Sequence, residues 1–163
     1  MSAVLQQGRQ LLPMSSAHLD TVMAIEAATY AFPWSRGNFV DSLASGYVAQ
    51  VLYDASGEIL GYLIAMAGVD EMHLLNITVA PPHQRQGHAR YMLEALIALC
   101  RARRARQLWL EVRDSNARAR AIYLKRGFAH VGVRKGYYPA PHGRREDAVV
   151  MSLQLLPGRL EGM

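Results

Sequence analysis

Cysteine, lysine and long apolar runs are scarce in this sequence, and each scarcity excludes a class of protein. The 163 residues include a single cysteine, Cys100, so no disulfide can form within the chain. Cys100 follows the apolar pattern of a predicted helix, which indicates a buried structural thiol rather than a nucleophile. No stretch approaches the ~20 consecutive apolar residues that cross a bilayer, and the N-terminus lacks the features of a secretory signal. We therefore expect a cytoplasmic protein without a membrane partner.

Arginine carries almost all of the positive charge. The formal net charge is +5, and 16 of the 18 basic residues are arginine, leaving only Lys125 and Lys135. The planar guanidinium suits phosphate, so the arginines are compatible with a polyanionic ligand or an RNA-rich partner. They are equally compatible with a basic surface that only contacts solvent. The six histidines show no ligand spacing, and we expect no metal.

The length and the periodicity of the apolar residues predict one α/β domain over residues 1–163, with a core from about residue 9 to 155 and a loose tail at 156–163. A hairpin precedes an alternation of strands and helices, which predicts a mixed central sheet flanked by helices on both faces. Ser35 is a predicted helix cap, and Gly127 is predicted to end a helix. The predicted helices cover about 15–28, 36–44, 87–105 and 115–127, and the strands 47–53, 60–69, 72–79, 107–112, 128–134 and 147–153.

The segment from Asn76 to Arg90 places a strand, a tight turn and a long helix in succession. Free amides at a helix start, with the helix dipole behind them, bind phosphate well. Arg85 and Arg90 add positive charge, and Gly87 allows a close approach of the backbone. The alternative is an ordinary glycine-containing turn. The spacing excludes the dinucleotide fingerprint and the P-loop.

This turn resembles the Q/R-x-x-G-x-G/A motif of the GNAT acetyltransferase superfamily, in which backbone amides hold the pyrophosphate of coenzyme A. Ala89 stands where many members have glycine, and His88 replaces a more usual apolar residue. Over about residues 11–155 the chain also resembles the RimI family of bacterial alanine N-acetyltransferases. The segments that carry this likeness are 27–39, 73–79, 108–116, 122–128 and 135–147.

The resemblance implies a GNAT fold and direct transfer of acetyl from acetyl-CoA. The implied acceptor is the N-terminal alanine of small-subunit ribosomal protein eighteen, with no direct need for nucleic acid. Asn116, which locally reads as a helix cap, would contact the cofactor, and Arg101–Arg106, which reads as a solvated helix end, could approach its outer phosphate. The remaining cofactor residues implied are Ile77, Thr78, Val79, Arg85, Gln86, Gly87, His88, Ala89 and Arg90.

Two residues are implied to perform the chemistry. Glu111 is an acid within an apolar strand, so it either points to water or faces a site, because unpaired burial is costly. The family places its general base at this position. Tyr123 lies on the predicted helix that follows. The local pattern indicates a packing role for its side chain, whereas the family resemblance implies the role of general acid.

Four residues are candidates for the acceptor site, and each also has an ordinary structural interpretation. Glu26 is either a solvated helix acid or a group that holds a cationic N-terminus. Trp34 either only anchors the start of a helix or also forms part of the wall of the peptide site. Tyr137 and Tyr138 have the local pattern of an aromatic strand end, beyond the predicted strand at 128–134, and in relatives the matching loop covers the acceptor groove.

Two rival functions remain open at this stage. The first is a GNAT enzyme with another acceptor, such as a different protein N-terminus, a lysine or a small amine. The second is a non-catalytic module that binds RNA or the ribosome through its basic surface, which would show salt-sensitive affinity without turnover.

Overall fold

The computed structural model describes residues 8–155, and the predicted tail at 156–163 lies outside them. Seven strands within this range form one mixed sheet in the order β1-β2-β3-β4-β5-β7-β6, flanked by four α-helices. The helices are α1 (Leu19–Thr29), α2 (Arg36–Ala44), α3 (His88–Ala102) and α4 (Ala117–Arg126). The strands are β1 (Gln10–Pro13), β2 (Val48–Tyr53), β3 (Ile59–Gly68), β4 (Glu71–Val79), β5 (Gln107–Arg113), β6 (Ala129–Pro139) and β7 (Arg145–Gln154).

Local signals in the sequence place several of these boundaries. The Ser35 hydroxyl accepts the backbone N–H of Asn38 at 3.2 Å and caps α2, which has the predicted bounds. Gly127 ends α4 with a φ of 111°, a left-handed conformation that suits glycine. In the turn between β2 and β3, the Asp54 carboxylate accepts backbone N–H groups from Ser56 and Glu58, and the two strands form the predicted antiparallel hairpin.

Contacts divide the chain into two compact units, the first comprising residues 8–66 and 75–95 of the described range. In this unit β1, β2 and β3 pair antiparallel. Gly61 is required for close packing, since a Cβ there would lie 2.3 Å from the Thr78 carbonyl oxygen. Its core is formed by Met14, Leu19, Val22, Ile25, Phe39, Val51, Tyr62, Ile64 and Ala80.

The second unit comprises residues 67–74 and 96–155. β4 pairs parallel with β5, while β7 runs antiparallel to both β5 and β6. Side chains of β5 alternate, so that Leu108, Leu110 and Val112 are buried in the core and Glu111 lies on the opposite face. The register between β6 and β7 shifts between Arg134 and Tyr138, which gives β6 two more residues than β7 at that point.

Three details differ from the sequence prediction. Strand β1 was not predicted, because four residues ending in a proline carry too little alternation to register as a strand. A 3-10 turn at Ser16–His18 precedes α1, which therefore begins later than predicted. Strand β6 continues to Pro139, so Tyr137 and Tyr138 belong to the strand itself.

The predicted burial of Cys100 is confirmed. Its side chain is buried in α3, and burial raises the pKa of the thiol to about 11. Within residues 8–155 no helix is long and apolar enough to cross a membrane. Over the same residues, no group of three or more histidine, cysteine or acidic side chains could hold a metal ion.

Candidate active site

The turn after β4 presents open backbone, as its sequence suggested. Arg85 and Gly87 adopt left-handed φ values of 65° and 85°, and a Cβ at Gly87 would meet no heavy atom within 4 Å. The Gln84 side-chain amide donates to the Val79 carbonyl at 3.0 Å and ties the turn to the strand. α3 begins at His88, so its first amides lie at the positive end of the helix dipole. This arrangement can bind a pyrophosphate.

Arg9 is a residue of this region that sequence reasoning missed. Its Nη1 lies 3.1 Å from His88 Nδ1 and donates to the Gly87 carbonyl at 3.4 Å. The guanidinium also lies 4.2 Å from the centre of the Tyr91 ring. Burial, and then the charge of Arg9, lower the pKa of His88. No local motif marks Arg9, because its partners are nearly eighty positions away in the chain.

Glu26 is buried, so its interpretation as a solvated helix acid is wrong. The side chain lies in α1 and the residue is only 2% exposed. Its Oε1 accepts the Tyr62 hydroxyl at 2.6 Å and the Asn76 amide at 3.1 Å, while Oε2 accepts the Trp34 backbone N–H at 2.9 Å. Burial and the contact with Glu26 both raise the pKa of Tyr62. Three neutral donors therefore hold this carboxylate.

The Glu26 network continues along β4. Thr78 donates its hydroxyl to the Asn76 side-chain oxygen at 2.7 Å. The Thr78 oxygen also lies 2.7 Å from the Tyr30 hydroxyl. Because Thr78 has one proton and uses it toward Asn76, Tyr30 must be the donor in this second bond. A directed chain of hydrogen bonds thus runs from Tyr30 through Thr78 and Asn76 to Glu26.

Trp34 is held at both its backbone and its ring. Its N–H donates to Glu26, and its ring lies 5.0 Å from the ring of Phe39, a fully buried residue of α2. The segment between α1 and α2 is therefore fixed next to β4. Sequence reasoning identified both Glu26 and Trp34, but not the bond that joins them.

The Glu111 side chain is shielded, with 6% of it exposed, although the residue as a whole is half-buried, so the carboxylate does not point to open solvent. His73 Nε2 lies 2.9 Å from Oε1, and Arg134 Nε lies 2.7 Å from Oε2 in an ion pair without a well-aligned hydrogen bond. Burial raises the pKa of the Glu111 carboxyl, but the His73 hydrogen bond and the charges of His73 and Arg134 outweigh it. The net pKa lies below that of an ordinary glutamate, so Glu111 is a carboxylate at neutral pH.

Tyr137 and Tyr138 lie on β6, in the same unit as Glu111. Their rings meet edge to face at 5.0 Å, and Tyr137 is 43% exposed. Burial, followed by the charge of Glu111, raises the pKa of Tyr138. The guanidinium groups of Arg113 and Arg134 lie over the rings of Tyr138 and Tyr137, respectively. Arg134, which pairs with Glu111, thus also lies over an aromatic ring of β6.

Tyr123 and Asn116 belong to α4. Tyr123 is 9% exposed, and its ring lies 5.4 Å from that of Phe128. Asn116 caps the helix, since its side-chain oxygen accepts the Ala119 N–H at 3.1 Å. The local interpretations of both residues as packing and capping groups are therefore confirmed, while their implied contacts with the cofactor stay predictions. The arginines of the 101–106 run are exposed, as a solvated helix end predicts.

A strand, an open turn and a helix start provide a site that can bind the pyrophosphate of a cofactor such as coenzyme A. The sequence model of the acetyltransferase (GNAT) family matches residues 19–128. This chain belongs to that family, whose members take their acetyl group from acetyl-CoA.

Several proteins within this family are similar to the chain over most of its length. The chain is 40% identical, over 136 residues, to the ribosomal protein bS18-alanine N-acetyltransferase of Haemophilus ducreyi, a match that covers 83% of this chain and 93% of the relative. It is 39% identical to the enzyme of the same name from Escherichia coli K12, over 87% of this chain and 95% of the relative. The crystal structure of the Escherichia coli S18-alanine N-acetyltransferase superposes with a TM-score of 0.86 at 35% identity, over 95% and 99% of the two chains. These relatives do not favour the rival functions.

Proposed function

We propose that this chain transfers the acetyl group of acetyl-CoA to the α-amine of the N-terminal alanine of ribosomal protein bS18. The observation that carries the proposal is 39–40% identity to enzymes of that name over most of both chains. We further propose that residues 1–163 act as a single domain in the cytoplasm.

The acidity of amines supports an N-terminal acceptor. An α-amine with a pKa near 8 is roughly 10% neutral at pH 7, whereas lysine is roughly 0.04% neutral. This difference in available nucleophile corresponds to about 3 kcal/mol. A base with a low pKa, such as Glu111, is better matched to the α-amine, which needs less help to lose its proton.

The residues of the turn fit the pyrophosphate of acetyl-CoA, which supplies an activated acetyl group when it binds. The open space beside the Gly87 backbone supports this assignment. The amides of Gln86, Gly87 and His88 would face the phosphates, with Arg85 and Arg90 adding charge. The other proposed contacts are the backbone of Ile77, Thr78 and Val79, the amide of Ala89, and the side chain of Asn116.

Two side chains are proposed to handle protons. Glu111 would accept a proton from the acceptor amine, directly or through a water molecule. Tyr123 would donate a proton to the departing sulfur. The ionised state of Glu111 supports the first role, because only the carboxylate can accept a proton.

The acceptor peptide is proposed to contact Trp34, Tyr137 and Tyr138, whose aromatic rings offer apolar walls with polar edges. Glu26 is proposed to act as a positioning residue, since its carboxylate already holds the Trp34 backbone. This assignment replaces the direct capture of a cationic N-terminus.

A pair of matched glycine variants tests the cofactor site. Gly87 and Gly57 have φ values of 85° and 89°, and a Cβ at either position would meet no heavy atom within 4 Å. Valine at either position should therefore cost similar stability. Only Gly87→Val should abolish the rise in melting temperature caused by acetyl-CoA, which scanning fluorimetry would measure. An equal thermal shift in both variants would place the pyrophosphate elsewhere.

A peptide panel tests the acceptor. We would measure kcat/KM for bS18-derived peptides that begin with Ala, Ser, Met or Leu, and for one with a blocked α-amine and a free lysine. The alanine peptide should react fastest, because a pocket shaped for a methyl group must distort to admit larger side chains. A preference for the blocked lysine peptide would exclude an N-terminal acceptor. Equal rates for the four free N-termini would remove only the specificity for alanine.

A further inference from the structure

His73 is a buried histidine to which the proposed mechanism gives no role. It is 9% exposed and lies on β4 directly beside Trp109 of β5 in the parallel register. The two rings are stacked, with centroids 3.7 Å apart and an interplanar angle of 11°. The stacking fixes the plane of the imidazole, and its Nε2 is aimed at Glu111 Oε1 at 2.9 Å.

The hydrogen bond defines which ring nitrogen is the donor. Glu111 is ionised and can only accept, so His73 Nε2 must carry a proton. The other carboxylate oxygen, Oε2, lies 2.7 Å from Arg134 Nε. Both oxygens of Glu111 therefore have a donor group beside them, and the ring plane of the imidazole is fixed by its stacking on Trp109.

We propose that His73 is a positioning residue of the acetyl transfer, which orients the Glu111 carboxylate through Nε2. This inference rests on the proposed role of Glu111. The other titratable or charged groups around the pair are Arg134, Tyr137 and Tyr138 of β6, Arg113 of β5, and Glu146 of β7, which binds Arg113.

The effect on turnover separates this role from simple packing. A ring that only packs can be replaced by another ring at little cost in rate, whereas the loss of a donor that orients the carboxylate lowers kcat. KM should change less than kcat, because His73 acts through Glu111 and not through the bound substrates.

Two variants divide the contacts of His73 between them. His73→Gln retains a donor toward Glu111, so it should recover most of the kcat that a variant without a donor loses. His73→Phe retains a ring to stack on Trp109 but has no donor, so kcat should fall about tenfold or more. His83→Gln is the matched control, because His83 forms a similar pair with Glu58 at 3.0 Å outside the proposed site.

The experiment measures kcat and KM for the alanine peptide in all four proteins, with the folded state checked by circular dichroism. A loss of kcat of about tenfold or more in His73→Phe, with near-wild-type kcat in His73→Gln and His83→Gln, would support the inference. Wild-type rates in His73→Phe, or an equal loss in His73→Gln, would overturn it while the proposed function stands. A wild-type protein that acetylates no alanine peptide at any pH would overturn the proposed function, and this inference with it.

Discussion

Glu26 and Glu111 are both buried carboxylates beside the sheet, but they are held by opposite kinds of partner. Glu26 accepts hydrogen bonds from a tyrosine hydroxyl, a side-chain amide and a backbone N–H, all of them neutral. Glu111 faces an imidazole and a guanidinium, of which one is ionisable and the other charged. The two carboxylates are thus similarly shielded from solvent but lie in different electrostatic environments.

The difference concerns what each carboxylate can do. Neutral donors satisfy the oxygens of Glu26 and lock neighbouring backbone in place, which is a positioning task. The neighbours of Glu111 stabilise its ionised form, which is the form that can accept a proton. Three predictions test this contrast.

The largest effect should come from the proton-transfer carboxylate. Glu111→Gln should lower kcat about 10²–10⁴-fold at neutral pH and recover partly as pH rises, because more acceptor amine is then already neutral. Tyr123→Phe should show a loss of similar size without that recovery, since the departing sulfur still lacks its proton donor. Steady-state rates from pH 6 to 9 provide the measurement. Near-native rates in both variants would remove the assigned roles.

The positioning carboxylate should act mainly on stability. Glu26→Ala leaves the fully buried Tyr62 hydroxyl and the Asn76 amide without their acceptor. We expect a loss of about 3 kcal/mol in the free energy of unfolding, or roughly 6–12 °C in Tm. The matched variant Glu111→Ala should cost less, because Arg134 is half-exposed and can be solvated. Urea denaturation would test both. Equal losses in the two variants would contradict the contrast.

The smallest effect should appear in acid. The pKa of Glu111 is lowered in the folded state, as is that of Glu146, which is lowered mainly by hydrogen bonds from Ser115. A lowered carboxyl pKa contributes stability above its unfolded value, near 4.3, and that contribution disappears as pH falls through the folded value. Wild-type Tm should therefore fall more steeply below pH 4.5 than that of Glu111→Gln. Parallel Tm curves between pH 5 and 3 would argue against a lowered pKa at Glu111.

Much of the fold could be read from local patterns. The bounds of α2 follow from a serine cap and an apolar stripe, and the hairpin between β2 and β3 follows from a turn whose aspartate binds its own backbone. The alternation of apolar and polar residues predicted the start of β5 correctly and its end to within one residue. Strand β1 could not be predicted, because its formation depends on pairing with β2, a strand that lies some forty residues away in the chain.

The sequence named candidate residues for the site but not their contacts. The turn near Gly87 carried a local signal, while the roles of Glu111 and Tyr123 were implied by the family resemblance. Arg9 and His73 carried no signal, because each is significant only through a partner on another element. For Glu26 the sequence left a solvated acid and a group that holds a cationic N-terminus both open, since a single acid on an apolar helix gives no indication of the donors that surround it.

The sequence alone was enough to place the caps of α2 and α4, the core faces, and the strand–turn–helix that can face a phosphate. These features depend on interactions within a few residues, and the side chains of neighbouring positions contain that information. The contacts of Glu26 with neutral donors, and of Glu111 with His73 and Arg134, are set by the folded structure. Hydrogen bonds and charges act over a few ångströms in space, and the folded sheet brings those atoms together from positions up to fifty residues apart.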